Sequence, residues 1–215
     1  MSSDNPSDRD RPAARWPADL RGVTESVVTT LGPNGLWNVA ALGLEAAASG
    51  PSGAEPARAE GEPDRVTART WGRTRTRLNF SERGEGYVQF TTDPVDFVEA
   101  ALAVRERDDP VLESAAAWAR VTVERVEAGR SEGTEWVQWR LHPVESVVRA
   151  ESVPTINRGF NALVEATVVA SRLGVGAYES EPLEDRLAYL IEVVERCGGS
   201  RETEALERLR SLRED

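Results

Sequence analysis

Lysine is absent from this chain: all 26 basic residues among its 215 are arginine, against 37 acidic residues and a formal net charge of -11. Such a surface lacks the positive field that gathers phosphates, which argues against broad nucleic-acid binding. Cysteine occurs once, as Cys197, so neither an intramolecular disulfide nor a cysteine-based metal site is available. Histidine also occurs once, as His142. It has no second histidine for a zinc pair, and a Ser-His-Asp triad would have to use it without a nucleophile-elbow pattern, so a structural role is expected. No run approaches the roughly 18 apolar residues of a membrane span, and no signal-peptide core opens the chain, so a soluble cytoplasmic protein without a membrane partner is expected.

Neither a phosphate-loop nor a dinucleotide glycine fingerprint occurs. An enzyme built on this sequence would therefore rely on a bound cofactor for its reaction, with no metal. The acid excess without lysine has two readings. GC-rich coding favours arginine, whereas a salt-loaded cytoplasm favours carboxylates that keep the surface hydrated; the second makes the protein halophilic.

Residues 1–18 are polar and carry no apolar period, which predicts a disordered leader. Val23 to Leu31 reads as a strand with β-branched density, Gly32-Pro33-Asn34-Gly35 as a turn, and Trp37 to Leu44 as the returning strand. Ala46 to Asp64 offers little to bury and reads as an enlarged surface loop. Strand character returns at Val66 to Trp71 and again at Gly86 to Thr92. Asp93 is suited to cap a helix, with Pro94 in its first turn and Phe97, Val98, Ala101 and Leu102 along one stripe. Trp118 to Val126 and Trp136 to Val148 alternate as a long hairpin around a turn near Gly129 to Gly133, long enough to help close a small barrel.

From Pro154 the period becomes helical. Asn161 to Leu173 is one helix; Leu183, Leu187, Leu190, Ile191 and Val194 mark a second, stopped by Gly198-Gly199; Ser200 is expected to cap a third. The expected fold is α+β, a β-barrel over residues 19–150 followed by a helical subdomain over 151–215. That tail is too small to stand alone and should pack on the barrel or on a second subunit.

Two segments suggest a ligand. Trp71 to Asn79, Trp-Gly-Arg-Thr-Arg-Thr-Arg-Leu-Asn, concentrates hydroxyls and guanidinium groups whose geometry suits phosphate. The same alternation also reads as the solvated face of a strand. Asn38-Val39-Ala40-Ala41-Leu42-Gly43 is a strand of mostly small side chains, whose backbone can lie against a flat ring and offer amides and carbonyls to its edge. Equally, those residues suit a strand packed closely on a helix. Ring on the strand and phosphate in the turn would accommodate flavin mononucleotide, FMN.

The order of these motifs, an Asn-x-Ala-Ala-x-Gly strand, then Thr76-x-x-Asn79, a strand and an Asp-initiated helix, resembles the FMN-binding split-barrel proteins related to flavin reductases. More closely, Glu25 to Gly199 resembles an archaeal domain-of-unknown-function family, number 447, that joins such a barrel to a helical subdomain. Its tail pattern stands here as Ile156-Asn157-Arg158, Glu165 and Ser171-Arg172-Leu173. The resemblance implies an FMN-binding homodimer with flavin near the subunit interface. It further implies that Thr76 and Asn79 contact phosphate with Thr74 and Arg75 nearby, and that Asn38, Val39, Ala40, Ala41, Leu42 and Gly43 line the ring, with Trp71 beside the site. Asn157 and Arg158 either touch flavin or tie the helices to the barrel, and with Glu165 and Arg172 could form a salt-bridge network. The sequence departs from the family where relatives often have proline, at Ala41 or Leu42. NAD(P)H would be the electron donor of a flavin-dependent oxidoreductase or flavin reductase; a binding module without turnover is the alternative.

Overall fold

In the computed structural model, which describes residues 14–46, 66–131, 133–153 and 155–214, alternation along the strands builds a closed barrel. Strands β1 (Val23–Leu31) and β2 (Trp37–Ala46) form the expected hairpin, in register from Val23 opposite Glu45 to Leu31 opposite Trp37. Its turn closes through Gly32 N–H to the Leu36 carbonyl at 2.8 Å, with Gly35 at φ 81°. Then come β3 (Val66–Trp71), α1 (Arg75–Arg83), β4 (Glu85–Thr91), α2 (Pro94–Leu102), β5 (Arg105–Arg107), β6 (Ala115–Ser131) and β7 (Thr134–Val148). Six strands close in the order β1-β4-β6-β7-β3-β2 and back to β1, while β5 adds to β2 outside the ring. The fold is thus an α+β split barrel, completed by helices α3 (Arg158–Ala170), α4 (Ser180–Cys197) and α5 (Ser200–Glu214).

Successive residues on a strand face opposite sides, and the barrel uses both. Val28, Leu42, Leu44, Val88, Val121 and Trp139 point into the lumen, where Phe80 of α1 plugs one end with its ring 5.4 Å from that of Trp139. Their neighbours Val27 and Val39 point outward against Phe97 and Ala100 of α2. The other face of α2, through Val98, joins the core shared by α3, α4 and α5. Helix α2 is therefore the bridge between barrel and helical subdomain. Asp93 caps it as expected, accepting from the amides of Val95 and Asp96 at 2.9 and 3.1 Å, while its second oxygen takes Arg201 of α5 at 2.5 Å.

Several expectations change. Trp16, placed in the disordered leader, is buried in the barrel core edge-on to Phe90, because its ring has apolar partners that the polar flanking sequence does not reveal. Residues 1–13 and the expected loop after Ala46 lie outside the described residues. The first tail helix begins at Arg158, three residues early, because Asn157 caps it. Ser200 is inside α5: the Gly199 carbonyl accepts from Thr203 and the Gly199 amide bonds Glu202 at 2.8 Å, half of a capping box. No helix among the described residues is long and apolar enough to cross a membrane.

Candidate functional site

The Arg/Thr stretch is neither a turn nor a strand end. Thr74 caps α1, its hydroxyl accepting from Arg77 N at 3.3 Å, and Gly84 ends it in the left-handed region at φ 68°. The buried face of this helix is polar. Thr76 and Asn79, each 4% exposed, turn inward with Phe80. Asn38 of β2 donates to Thr76 Oγ1 at 3.3 Å, and Asn79 donates to the carbonyl and hydroxyl of Thr30 at 3.3 and 3.0 Å. The residues expected to hold phosphate by their side chains thus lock α1 onto the barrel.

What α1 shows to solvent is its first turn. Arg73, Thr74 and Arg75 are exposed. The amides of Arg75 and Thr76 have no intrahelical acceptor, as at any helix start, and the helix dipole adds a partial positive charge there. Arg75 meets Glu106 of β5 at 2.5 Å, and Arg77 bonds the Gly72 carbonyl at 2.9 Å and Glu135 at 3.2 Å. Anions are favoured at such a terminus.

Beside it, β2 is paired with β1 along its length, but its other flank divides. Trp37 to Val39 pair with β5 and Leu44 to Ala46 with β3, leaving Ala40, Ala41, Leu42 and Gly43 without a strand on that side. Val39 and Leu42 are buried, whereas Ala40, Ala41 and Gly43 are half-buried. A Cβ built on Gly43 would meet nothing closer than Val23 Cγ1 at 3.4 Å and Glu25 Oε1 at 3.5 Å, so packing within the chain does not demand glycine there.

Trp71, 45% exposed, stands at the end of β3. The Arg69 guanidinium lies 5.6 Å from its ring and 4.3 Å from that of Trp136, which rests against Gly129, where a Cβ would be 2.6 Å from the indole. Trp71 is thus one end of an aromatic-arginine stack on the outer sheet face.

The tail residues lie apart from one another. Asn157 accepts from Phe160 N at 3.1 Å and donates to Glu202 at 3.1 Å, while Arg158 is exposed. Glu165 pairs with Arg186 at 2.9 Å, and Arg172 lies 5.5 Å from the Tyr178 ring. These are separate pairs, so the expected single network does not form; their helical positions point them to different neighbours. Glu25, which faces Glu165 from β1, is held above the usual carboxylate range, first by burial and then by that neighbouring charge. His142 lies half-exposed on β7, 3.9 Å from Glu124.

An open concavity of about 560 Å³ lies between α2 and the segment after β5, lined by Asp96, Glu106, Asp108, Asp109 and Glu113 with Arg105 and Arg107. Its excess of carboxylates opposes a phosphate, which leaves the first turn of α1 as the better candidate for an anion. Glu106, Arg69 and Trp136 were not singled out by the sequence. Glu106 lies in the charged Arg105-Glu106-Arg107 run, where only the three-residue strand gives the alternation meaning.

A split barrel with an open strand flank beside a helix N-terminus defines the class of protein. The chain belongs to the family described as protein of unknown function DUF447: the pattern of the N-terminal domain matches residues 24–150 and that of the C-terminal domain residues 157–211. A crystal structure of an FMN-bound protein of this family from Methanosarcina mazei has the same fold, at 20% identity and a TM-score of 0.70 over 90% of this chain and 96% of that one. Flavoredoxin from Methanosarcina acetivorans aligns with 66% of this chain and 79% of its own at 10% identity and a TM-score of 0.44. The flavin reductase of styrene monooxygenase from Pseudomonas putida S12 aligns with 61% and 82% at 15% identity and a TM-score of 0.38.

Proposed function

We propose that this chain is an FMN-binding flavoprotein. The observation that carries the reading is the adjacency of two complementary surfaces: the unpaired β2 flank from Ala40 to Gly43 and the solvent-facing first turn of α1. The flank offers unpaired backbone to the edge of a flat ring, and Thr74, Arg75 and the free amides offer donors to a phosphate. Asn38 joins the two through Thr76, while Asn79 fixes α1 from below. The residues present therefore fit the group, with Thr76 and Asn79 acting mainly by positioning. The FMN-bound relative supports the same reading.

Bound FMN would supply two-electron chemistry, accepting hydride from a nicotinamide donor such as NAD(P)H in an oxidoreductase or flavin reductase. The chain's part is to hold the ring, to stabilise negative charge with backbone amides and arginine, and to limit water at the strand flank. A binding module without turnover is the second reading. Two copies would form the functional unit, as the resemblance implies, in the cytoplasm of an archaeon.

The visible absorption spectrum of the purified protein, with mass identification of ligand released on denaturation, tests the cofactor. Oxidised-flavin bands with released FMN are expected. A colourless protein that also fails to take up added FMN overturns the reading. NAD(P)H oxidation by the loaded protein then separates turnover from storage.

A further inference from the structure

We propose that Glu106 is a resident counter-anion of the phosphate end of this site, competing with the ligand's phosphate for Arg75 and so setting discrimination between phosphorylated and unphosphorylated flavins. The inference rests on the FMN reading above and deepens it.

Glu106 is the central residue of β5 and lies directly opposite Asn38 of β2. Cross-strand partners project to the same face of a sheet. From that shared face the two side chains grip consecutive residues of the first turn of α1: Asn38 reaches Thr76 at 3.3 Å, and Glu106 reaches Nη1 of Arg75 at 2.5 Å. Both carboxylate oxygens also accept from Asn34 Nδ2 at 3.3 Å, so the β1–β2 turn holds the acid from the other side. Glu106 thus sits at the positive end of α1, bonded to the arginine that an incoming phosphate needs.

The pair is built to exchange. Its side chains are 28% and 50% exposed, so solvent weakens it. Replacing a carboxylate with a phosphate brings more charge and a third acceptor oxygen to the same guanidinium. Ligand phosphate must displace Glu106 or accept its repulsion. Riboflavin, which has no phosphate, meets neither cost.

Fluorescence titrations of the full chain with FMN and with riboflavin test this. Glu106→Gln, which keeps an acceptor for Asn34, is expected to tighten FMN about two- to fivefold, the range of an exposed ion pair, and to leave riboflavin unchanged. Glu106→Ala should act in the same direction. In an Arg75→Gln background the Glu106→Gln effect on FMN should shrink, because the contested group is gone and only through-space repulsion remains. An FMN dissociation constant that is unchanged or weakened by Glu106→Gln overturns the proposal while leaving the FMN reading intact. Equal tightening of riboflavin overturns it too. A wild-type chain that takes up neither flavin removes both.

Discussion

Asn38 on β2 donates its side-chain amide to Thr76 Oγ1 on α1 at 3.3 Å, and both residues are buried. This one bond fixes the strand proposed to carry the ring against the helix proposed to carry the phosphate. Thr76→Val keeps the shape but leaves the Asn38 amide without its acceptor. The expected loss is about 1–3 kcal/mol, the cost of an unsatisfied buried donor, read by denaturant unfolding. Thr76→Ser keeps the oxygen and should lose about 1 kcal/mol from the missing methyl. Thr76→Val as stable as wild type would show that the hydrogen bond contributes nothing.

Gly43 separates ligand shape from protein packing. Since its added Cβ would make only ordinary contacts with Val23 and Glu25, Gly43→Ala should shift folding stability by no more than about 0.5 kcal/mol. If a ring lies against this flank, the methyl intrudes on it, and FMN and riboflavin should both weaken about tenfold or more. Isothermal titration alongside thermal melting gives both readouts. Unchanged flavin affinity would move the ring away from Gly43.

The first hairpin was legible because its signals are local: Gly32-Pro33-Asn34-Gly35 admits little but a turn, and apolar alternation flanks it. Helix α2 was legible for the same reason, from Asp93 and Pro94. Helix α1 was not. Its buried positions include Thr76 and Asn79, so the inward face carries no continuous apolar period, and alternating β-branched threonines imitate a strand. The remaining signals were Thr74 as cap and Gly84 as stop, nine residues of helix apart. The inward direction of Thr76 and Asn79 depends on partners far away in sequence, Asn38 of β2 and Thr30 of β1. Glu106 was hidden because its role follows from pairing with Asn38, across 68 residues of chain.

Two carboxyl groups should give pH dependences of opposite sign. Burial raises the Glu25 carboxyl, and the charge of Glu165 raises it further. Its contribution is fully present below the ordinary glutamate value of about 4.3 and is lost as pH rises through the higher folded value. Glu25→Gln should therefore melt higher than wild type at neutral pH, with the gap closing towards pH 4. Burial alone would raise Asp93 as well, but the bond and charge of Arg201 and the amides of Asp96 and Val95 bring it below the ordinary range on balance. Its contribution is present above about pH 3.9 and is lost as pH falls through the folded value, so Asp93→Asn, which keeps the cap acceptor, should cost most at neutral pH and least in acid. Melting temperatures from pH 3 to 8 decide both; parallel curves for either variant and wild type would remove that linkage.

Salt tests the acidic surface. With a net charge of -11 and no lysine, self-repulsion in dilute buffer should destabilise the folded chain. In molar potassium chloride the screening length falls to about 3 Å, so the melting temperature should rise. Equal melting at both salt concentrations would remove the halophilic reading and leave codon bias as the source of the arginines.

Asn157 decides between the two roles that its motif allowed. Its oxygen caps α3 and its amide holds Glu202, which also accepts from Gly199 at the start of α5. The side chain is thus occupied at a three-helix junction, where a Cβ on Gly159 would lie 2.4 Å from the Cα of Gly198. Asn157→Ala should cost about 1 kcal/mol or somewhat more from the lost cap, with flavin affinity unchanged. Gly159→Ala forces backbone against backbone and should cost about 1–3 kcal/mol or more, again without a selective effect on flavin. A loss of FMN affinity in Asn157→Ala under conditions where the variant remains fully folded would instead place this residue at the cofactor, and would require the junction to open towards the barrel.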